Sequence, residues 1–232
     1  MTIPNDAWNQ AYKTRGRLYG GSPPPLPGLP PGSHVLEIGC GDGKGLRPML
    51  SRRWRVTAID RAPAALTLCR GLKGRDTVDG FLLADVERLP FRPASFDAIF
   101  CSHILDHLDE RGRAAGAAES ARVLRQGGLL FFRGFSTGDM RAGKGREVEP
   151  GTFLRSEGII THYFTEDEVC RLFYLLAPVE FMTRNWIVRI RGEEMRRSEI
   201  LATCQKTGKP PLDEDTGNGD LLYEKTIKEG EK

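Results

Sequence analysis

The run VLEIGCGDGKG, residues 35–45, restricts the fold of this chain more than any other part of the sequence. Its apolar residues end at Ile38, and glycines follow at positions 39, 41 and 43. Glycine lets the backbone bend sharply and approach a ligand because it has no Cβ. The run therefore predicts a buried strand, a tight turn and the start of a helix, an arrangement in which α/β proteins bind nucleotide-like ligands.

Short apolar runs and helical segments alternate along the rest of the chain. The predicted strands are 35–38, 56–59, 81–84, 97–101, 129–132, 179–191 and 199–206. The predicted helices are a short one around Trp8 and Tyr12, then 44–53, 63–71 and 111–125, and one behind a T-x-x-E capping box at Thr165. Buried strands separated by helices predict a parallel sheet that is covered on both faces.

The spacing of the glycines separates the ligands that such a loop can hold. The dinucleotide fingerprint GxGxxG fails because Lys44 occupies the last position, and the phosphate loop GxxxxGK[ST] fails at Ile38 and Gly45. The remaining pattern is E-x-G-x-G-x-G, starting at Glu37. A strand-to-helix turn in an unrelated α/β protein stays open on the glycines alone.

An acidic residue closes the second predicted strand. Asp60 lies 21 residues after Gly39, where nucleotide-binding sheets carry an acid that binds ribose. Its carboxylate can accept hydrogen bonds from both ribose hydroxyls. Asp60 can also cap the helix that begins near Pro63, and the two roles are compatible.

Further motifs follow in chain order: Asp85-Val86 with ERLPF, then SFDAIFCSHILDHL over 95–108, then LRQGGLLFF over 124–132. Together with the glycine loop they resemble the class I S-adenosylmethionine-dependent methyltransferases, in the small-molecule branch near quinone-biosynthesis and tellurite-resistance-type enzymes. The resemblance implies a Rossmann-like sheet of seven mostly parallel strands, helices on both faces and an antiparallel last strand. It also implies S-adenosylmethionine as cofactor and methyl transfer to a small-molecule acceptor.

The resemblance assigns the cofactor site to matching positions after the first four strands: Glu37, Gly39, Cys40, Gly41, Asp60, Arg61, Asp85, Val86 and Ser102. It implies that Glu37 supports the methionine end of the cofactor, with the glycine loop under the methionyl and ribose groups. Asp60 binds the ribose hydroxyls, and Arg61 flanks the adenine. Asp85 accepts from the adenine amine, Val86 packs on the ring, and Ser102 lines the mouth where the methyl is transferred.

His103 is the candidate catalytic residue because it follows Ser102 at that mouth. It is a general base or a group that positions the acceptor; a surface or structural histidine is the alternative. His162 and Tyr163 reach over the site or only pack in their loop. The run CSHI replaces the Asn/Asp-Pro-Pro-aromatic motif of enzymes that methylate adenine or glutamine amines, which argues against that reaction. No His, Cys and carboxylate cluster has metal-ligand spacing, so we expect no metal.

Three domain regions are expected. Residues 1–32 form a helix and a proline-rich connector that cap the active site in part, and 33–206 form the methyltransferase domain. The polar stretch 134–164 is expected to be a basic, flexible lid loop, because long loops in compact domains are usually functional or disordered. Residues 207–232 are expected to be a mobile tail.

Composition limits the compartment and the partners. The formal charge is +3, with 34 basic and 31 acidic residues, which is too small an excess to indicate nucleic acid. Five dispersed cysteines and no apolar run of membrane-spanning length favour a cytoplasmic protein with free thiols. A nicotinamide-dependent oxidoreductase, a non-catalytic cofactor-binding module and methylation of a protein or RNA remain as alternatives, and the oligomeric state is open.

Overall fold

A seven-stranded sheet forms the centre of the molecule in the computed structural model, which describes residues 7–18, 25–72, 78–155 and 158–208. Its strands, in chain order, are β1 His34–Ile38, β2 Arg55–Asp60, β3 Val78–Leu83, β4 Phe96–Ser102, β5 Leu124–Phe135, β9 Ala177–Ile190 and β10 Glu193–Gln205. They lie in the order β3-β2-β1-β4-β5-β10-β9. The first five are parallel, and β10 is antiparallel to both β5 and β9, so the predicted fold class is confirmed.

Five helices accompany the sheet in the described part of the chain: α1 Ala7–Arg15, α2 Leu46–Met49, α3 Pro63–Arg70, α4 Glu110–Val123 and α5 Glu166–Leu172. Alternate residues of each strand point to opposite faces. Leu36, Ile99 and Leu130 lie in the core on one face, whereas Val35 and Phe100 lie in a second core on the other. Burial on both faces explains the nearly continuous apolar strands of the sequence. Among these helices, none is long and apolar enough to span a membrane.

Two predicted helices are shorter than the sequence indicated. The segment 44–53 contains only the four helical residues of α2, which begin after Gly43, with its φ of +80°, and end at Met49. The predicted helix 111–125 ends at Val123, and Leu124 is already extended. Gly127, with a φ of +76°, lies inside β5, where its N–H donates to the carbonyl of Lys206.

The sequence predicted a loop without regular structure over 134–164, whereas the structure has three short strands there. It contains β6 Arg146–Glu149, β7 Thr152–Leu154 and β8 Ile160–His162, which form a three-stranded antiparallel sheet in the order β6-β7-β8. The nitrogen Nδ1 of His107 lies 2.8 Å from the carbonyl oxygen of Ile160, which ties β8 to the turn after β4. Strands of three or four residues leave too short a pattern to be recognised in a polar sequence.

The N-terminal helix α1 packs beside the glycine loop. Tyr12 is buried against Ala62 and Ala65, and the side chain of Asn9 accepts from the backbone N–H of Ala64 at 3.0 Å. The predicted helix around Trp8 and Tyr12 is therefore confirmed. The expected tail lies outside the described residues from position 209 onward, as do positions 19–24 of the connector.

Candidate functional site

The glycine loop joins β1 to α2 in backbone conformations that favour glycine. Gly39, Gly41 and Gly43 have φ values of +69°, +53° and +80°. A Cβ at Gly41 would lie 2.6 Å from the hydroxyl of Tyr12, so α1 approaches the loop closely. The thiol of Cys40 faces Cys69, with 3.5 Å between the sulfur atoms, so Cys40 presents its backbone and not its side chain to a ligand.

Glu37 places a buried carboxyl group beside this loop. The residue is 5% exposed, and its Oε2 has no hydrogen-bond partner among the described residues. Burial raises the pKa of Glu37 to about 8, because a carboxylate loses its solvation there. A Cβ on Gly45 would collide with its Oε1. An acid in this position that lacks a partner among the described residues can accept from a donor or bind a cation that these residues do not supply.

Two more acids lie at the same edge of the sheet. Asp60 is buried, and its two oxygens accept from the backbone N–H groups of Gly41 and Ala62, each at 2.8 Å. Burial raises the pKa of Asp60, although these hydrogen bonds oppose the shift. Asp85 is more exposed, and its Oδ2 lies 3.8 Å from Nη2 of Arg61. The structure thus brings together the acids expected at the ribose and adenine ends.

The remaining predicted cofactor residues differ in how they are placed. Ser102 ends β4 and lines, together with Glu37 and Gly45, a cavity of about 260 Å³. Val86 is 5% exposed and packs in the main core, in the same cluster as Leu105. The contact of Val86 with an adenine ring stays a prediction, as do the individual roles of the other residues.

His103 stands between two carboxylates at the end of β4. Its Nδ1 is 3.0 Å from Oδ2 of Asp106, and its Nε2 is 3.5 Å from Oε2 of Glu199. Burial alone would lower the pKa of His103, but the hydrogen bonds to both acids raise it. Its φ is +56°, and its backbone N–H donates to the carbonyl of Arg133 at 2.7 Å. This geometry favours an imidazolium that donates from both nitrogens.

Glu199 is a site residue that the sequence did not reveal. It is 1% exposed, and Arg133 donates to its two oxygens at 2.7 and 2.6 Å. These partners lower the pKa of Glu199 to about 2, although burial opposes the shift. In the sequence Glu199 directly precedes the apolar residues of β10, and no local pattern marks it as a site residue.

The segment after β5 reaches this mouth through aromatic contacts. The ring of Phe135 stacks on His103 with 4.1 Å between centroids, and the Cζ of Arg141 lies 4.1 Å from the centroid of the same phenyl ring. Tyr163 is 6.2 Å from Phe135 and is almost fully buried. Of the two residues expected to reach over the site, Tyr163 therefore lies beside the aromatic group at the mouth.

His162 has a different environment. Its Nδ1 is 2.8 Å from Oγ1 of Thr152, and its Nε2 is 2.9 Å from Glu168 of the capped helix α5. Both nitrogens are therefore used in joining β7, β8 and α5. In the part of the chain that the structure describes, no group of three or more His, Cys, Asp or Glu side chains is arranged to hold a metal.

Comparison with known proteins matches part of this chain to one family model and to several relatives. Residues 36–132 match the family model described as a methyltransferase domain. The chain is 34% identical over 111 residues to a malonyl-[acyl-carrier protein] O-methyltransferase of Serratia marcescens, which covers 48% of this chain and 42% of that protein. It is 36% identical over 102 residues to a ubiquinone biosynthesis O-methyltransferase of Xylella fastidiosa. That match covers 43% of this chain and 41% of the relative.

A solved structure extends the likeness beyond that region. A SAM-dependent methyltransferase from Methanosarcina mazei superimposes with a TM-score of 0.62 at 25% identity, covering 77% of this chain and 94% of that one. The matches span less than half the length of the two curated relatives. Residues 36–132 therefore match a methyltransferase domain, and the fold around them is similar to that of a solved SAM-dependent methyltransferase.

Proposed function

We propose that this chain transfers a methyl group from S-adenosylmethionine to a small molecule bound at the carboxyl edge of β4 and β5. The observation that carries the proposal is the buried, unpartnered oxygen of Glu37 beside the glycine loop, on the same edge as Asp60. The cofactor has an ammonium group and two ribose hydroxyls, all of which donate to carboxylates. The acids present therefore fit the cofactor in number and chemistry.

The cofactor supplies an electrophilic methyl group, and the protein positions what reacts with it. In our assignment Glu37 takes the ammonium end, Asp60 the ribose, and Asp85 with Arg61 the adenine. Ser102 lines the path to the acceptor. The close packing of α1 on the glycine loop supports the expectation that the N-terminal region covers part of the site.

On the acceptor side we assign His103 as a cationic positioning residue, and not as a general base. A base must present a free lone pair, whereas Asp106 and Glu199 both stabilise the protonated ring. The two curated relatives are O-methyltransferases by name, which supports oxygen as the acceptor atom. All five cysteines are free thiols, which supports a reducing compartment such as the cytoplasm.

Calorimetry followed by a labelling experiment tests the proposal. S-adenosylhomocysteine should bind more tightly than NADH, and labelled S-adenosylmethionine should label one small molecule of a metabolite extract. Asp60→Ala should weaken the binding of S-adenosylhomocysteine and reduce the labelling, whereas Asp79→Ala should preserve both signals. Asp79 is the matched control because it lies at the start of β3, at the opposite edge of the sheet. Tighter binding of NADH would overturn the family-based assignment of the cofactor.

Label in protein or RNA, instead of the small-molecule fraction, would contradict a small-molecule acceptor. Binding of S-adenosylhomocysteine without transfer to any fraction would indicate a non-catalytic module. The fractions of one extract thus distinguish the three outcomes in a single reaction.

A further inference from the structure

Arg141 has a guanidinium nitrogen that is buried without a hydrogen-bond partner. Its Nε donates to Oδ1 of Asp139 at 2.9 Å, and its backbone N–H donates to the same oxygen at 3.0 Å. Its Nη2 has no partner within the described residues. An unsatisfied buried donor destabilises a fold, so such a nitrogen indicates an acceptor atom that the described residues do not provide.

The position of this guanidinium connects it with the proposed acceptor site. It lies over the ring of Phe135, at the end of β5, and His103 stacks on the same ring. Phe135 also donates its backbone N–H to Asp106, the partner of His103, at 2.9 Å. Arg141 is therefore one side chain away from the mouth where the methyl group would be transferred.

Two arginines and His103 surround Phe135, together with the carboxylates of Asp106, Asp139 and Glu199. Arg197 lies 5.5 Å from the ring centroid and shares the carboxylate of Asp139 with Arg141, at 2.6 and 2.9 Å. One fully buried carboxylate thus serves two guanidinium groups, and the neighbouring His103 favours its cationic form. A guanidinium has the planar donor geometry that matches a carboxylate.

We propose that Arg141 binds a carboxylate group of the acceptor, so that the substrates of this domain are organic acids. The inference rests on the proposed methyl transfer at this edge and adds the class of acceptor and the residue that selects it. Nη2 of Arg141 provides the hydrogen bond to this carboxylate.

A titration of the protein saturated with S-adenosylhomocysteine tests this binding directly. The probes are benzoate, phenylacetate and hexanoate, each paired with its own carboxamide, together with inorganic phosphate. Nitrogen-15 spectra follow the assigned Nε–Hε signal of Arg141 and give a Kd for each probe. Arg141→Gln removes the charge, and Lys144→Gln is the matched control because it removes the same charge from an exposed position of the same segment.

At least one acid should bind wild-type protein and Lys144→Gln about tenfold more tightly than its amide, as expected for a charge-assisted hydrogen bond. Its addition should shift the Arg141 signal, and Arg141→Gln should lose the preference. The shift of the Arg141 signal in the wild-type protein tests the binding even if Arg141→Gln does not fold.

Equal binding of every acid and its amide would overturn the inference, as would a preference that survives in Arg141→Gln. Phosphate binding that is tighter than that of every acid would show that the class of anion is wrong. The binding of S-adenosylhomocysteine is measured first. Its failure would contradict the proposed function, whereas its success without any acid preference would contradict only the role of Arg141.

Discussion

Replacing Glu37 by glutamine separates the effect of the buried acid on folding stability from its effect on ligand binding. The pKa of Glu37 is raised from 4.5 to about 8, so the folded protein keeps a proton on this group at neutral pH. Between pH 4.5 and 8 the folded state binds more protons than the unfolded state, and stability therefore falls as the pH rises through this window. Glutamine resembles the protonated acid in shape but has no proton to lose.

The magnitude follows from 1.36 kcal/mol for each unit of pKa shift. Glu37→Gln should raise the free energy of unfolding by about 1 kcal/mol at pH 5, about 3 kcal/mol at pH 7 and about 4 kcal/mol at pH 8. Below pH 4.5 the difference should disappear, because glutamate is then protonated in both states.

Urea unfolding at pH 5, 7 and 8 measures these differences. Glu180→Gln is the control, because Glu180 lines the same cavity but is exposed. The stability of that variant should follow the wild type at each pH. A difference between Glu37→Gln and wild type that is constant over pH would refute the reasoning, since it would show that Glu37 is ionised in the folded state.

The same variant should bind S-adenosylhomocysteine more weakly by about 1.5–3 kcal/mol, the range for hydrogen bonds to charged groups. The ammonium group of S-adenosylhomocysteine would lose the carboxylate that we assign as its partner. A variant that is more stable but binds S-adenosylhomocysteine more weakly would show that the acid serves ligand binding and not folding. A variant that is more stable and binds equally well would remove Glu37 from the site.

Three further predictions concern the neighbouring elements. Asp60→Ala should weaken S-adenosylhomocysteine binding by about 2–4 kcal/mol, because the ribose hydroxyls lose their acceptors; unchanged calorimetric affinity would make Asp60 purely structural. Glu199, with a pKa of about 2, stabilises the fold above pH 4.5 and loses this effect as the pH falls towards 2. The stability advantage of wild type over Glu199→Gln should therefore shrink over that range in acid unfolding. Backbone amides of β7 and β8 should exchange slowly even without ligand, and fast hydrogen exchange there would contradict an ordered segment.

The parallel part of the sheet could be predicted because its strands are buried on both faces. Nearly continuous apolar runs such as 35–38 and 97–101, each with one acidic residue, then need no partner information to be recognised. Parallel strands also bring their carboxyl ends to one edge. Two acids that each follow a strand, Asp60 and Asp85, were therefore expected near the glycine loop, and Arg61 is indeed close to Asp85.

The acceptor side could not be predicted because long-range register decides it. Glu199 meets the end of β5 only because β10 pairs antiparallel with Glu199 opposite Phe135. A shift of one residue would send this carboxylate to the other face of the sheet. No local pattern in the sequence specifies that register. No local pattern predicts that the polar segment after β5 folds into β6, β7 and β8.

This register also holds together the proposed acceptor end of the site around His103. His103 has a backbone conformation that is unfavourable for a residue with a Cβ, at a φ of +56°. Three contacts from other elements hold it there: the carbonyl of Arg133 on β5, Asp106 in the following turn and Glu199 on β10. β10, which lies outside residues 36–132, therefore contributes to the charge and position of His103. The acceptor end of the site thus depends on a strand beyond the matched region, while the cofactor end lies within it.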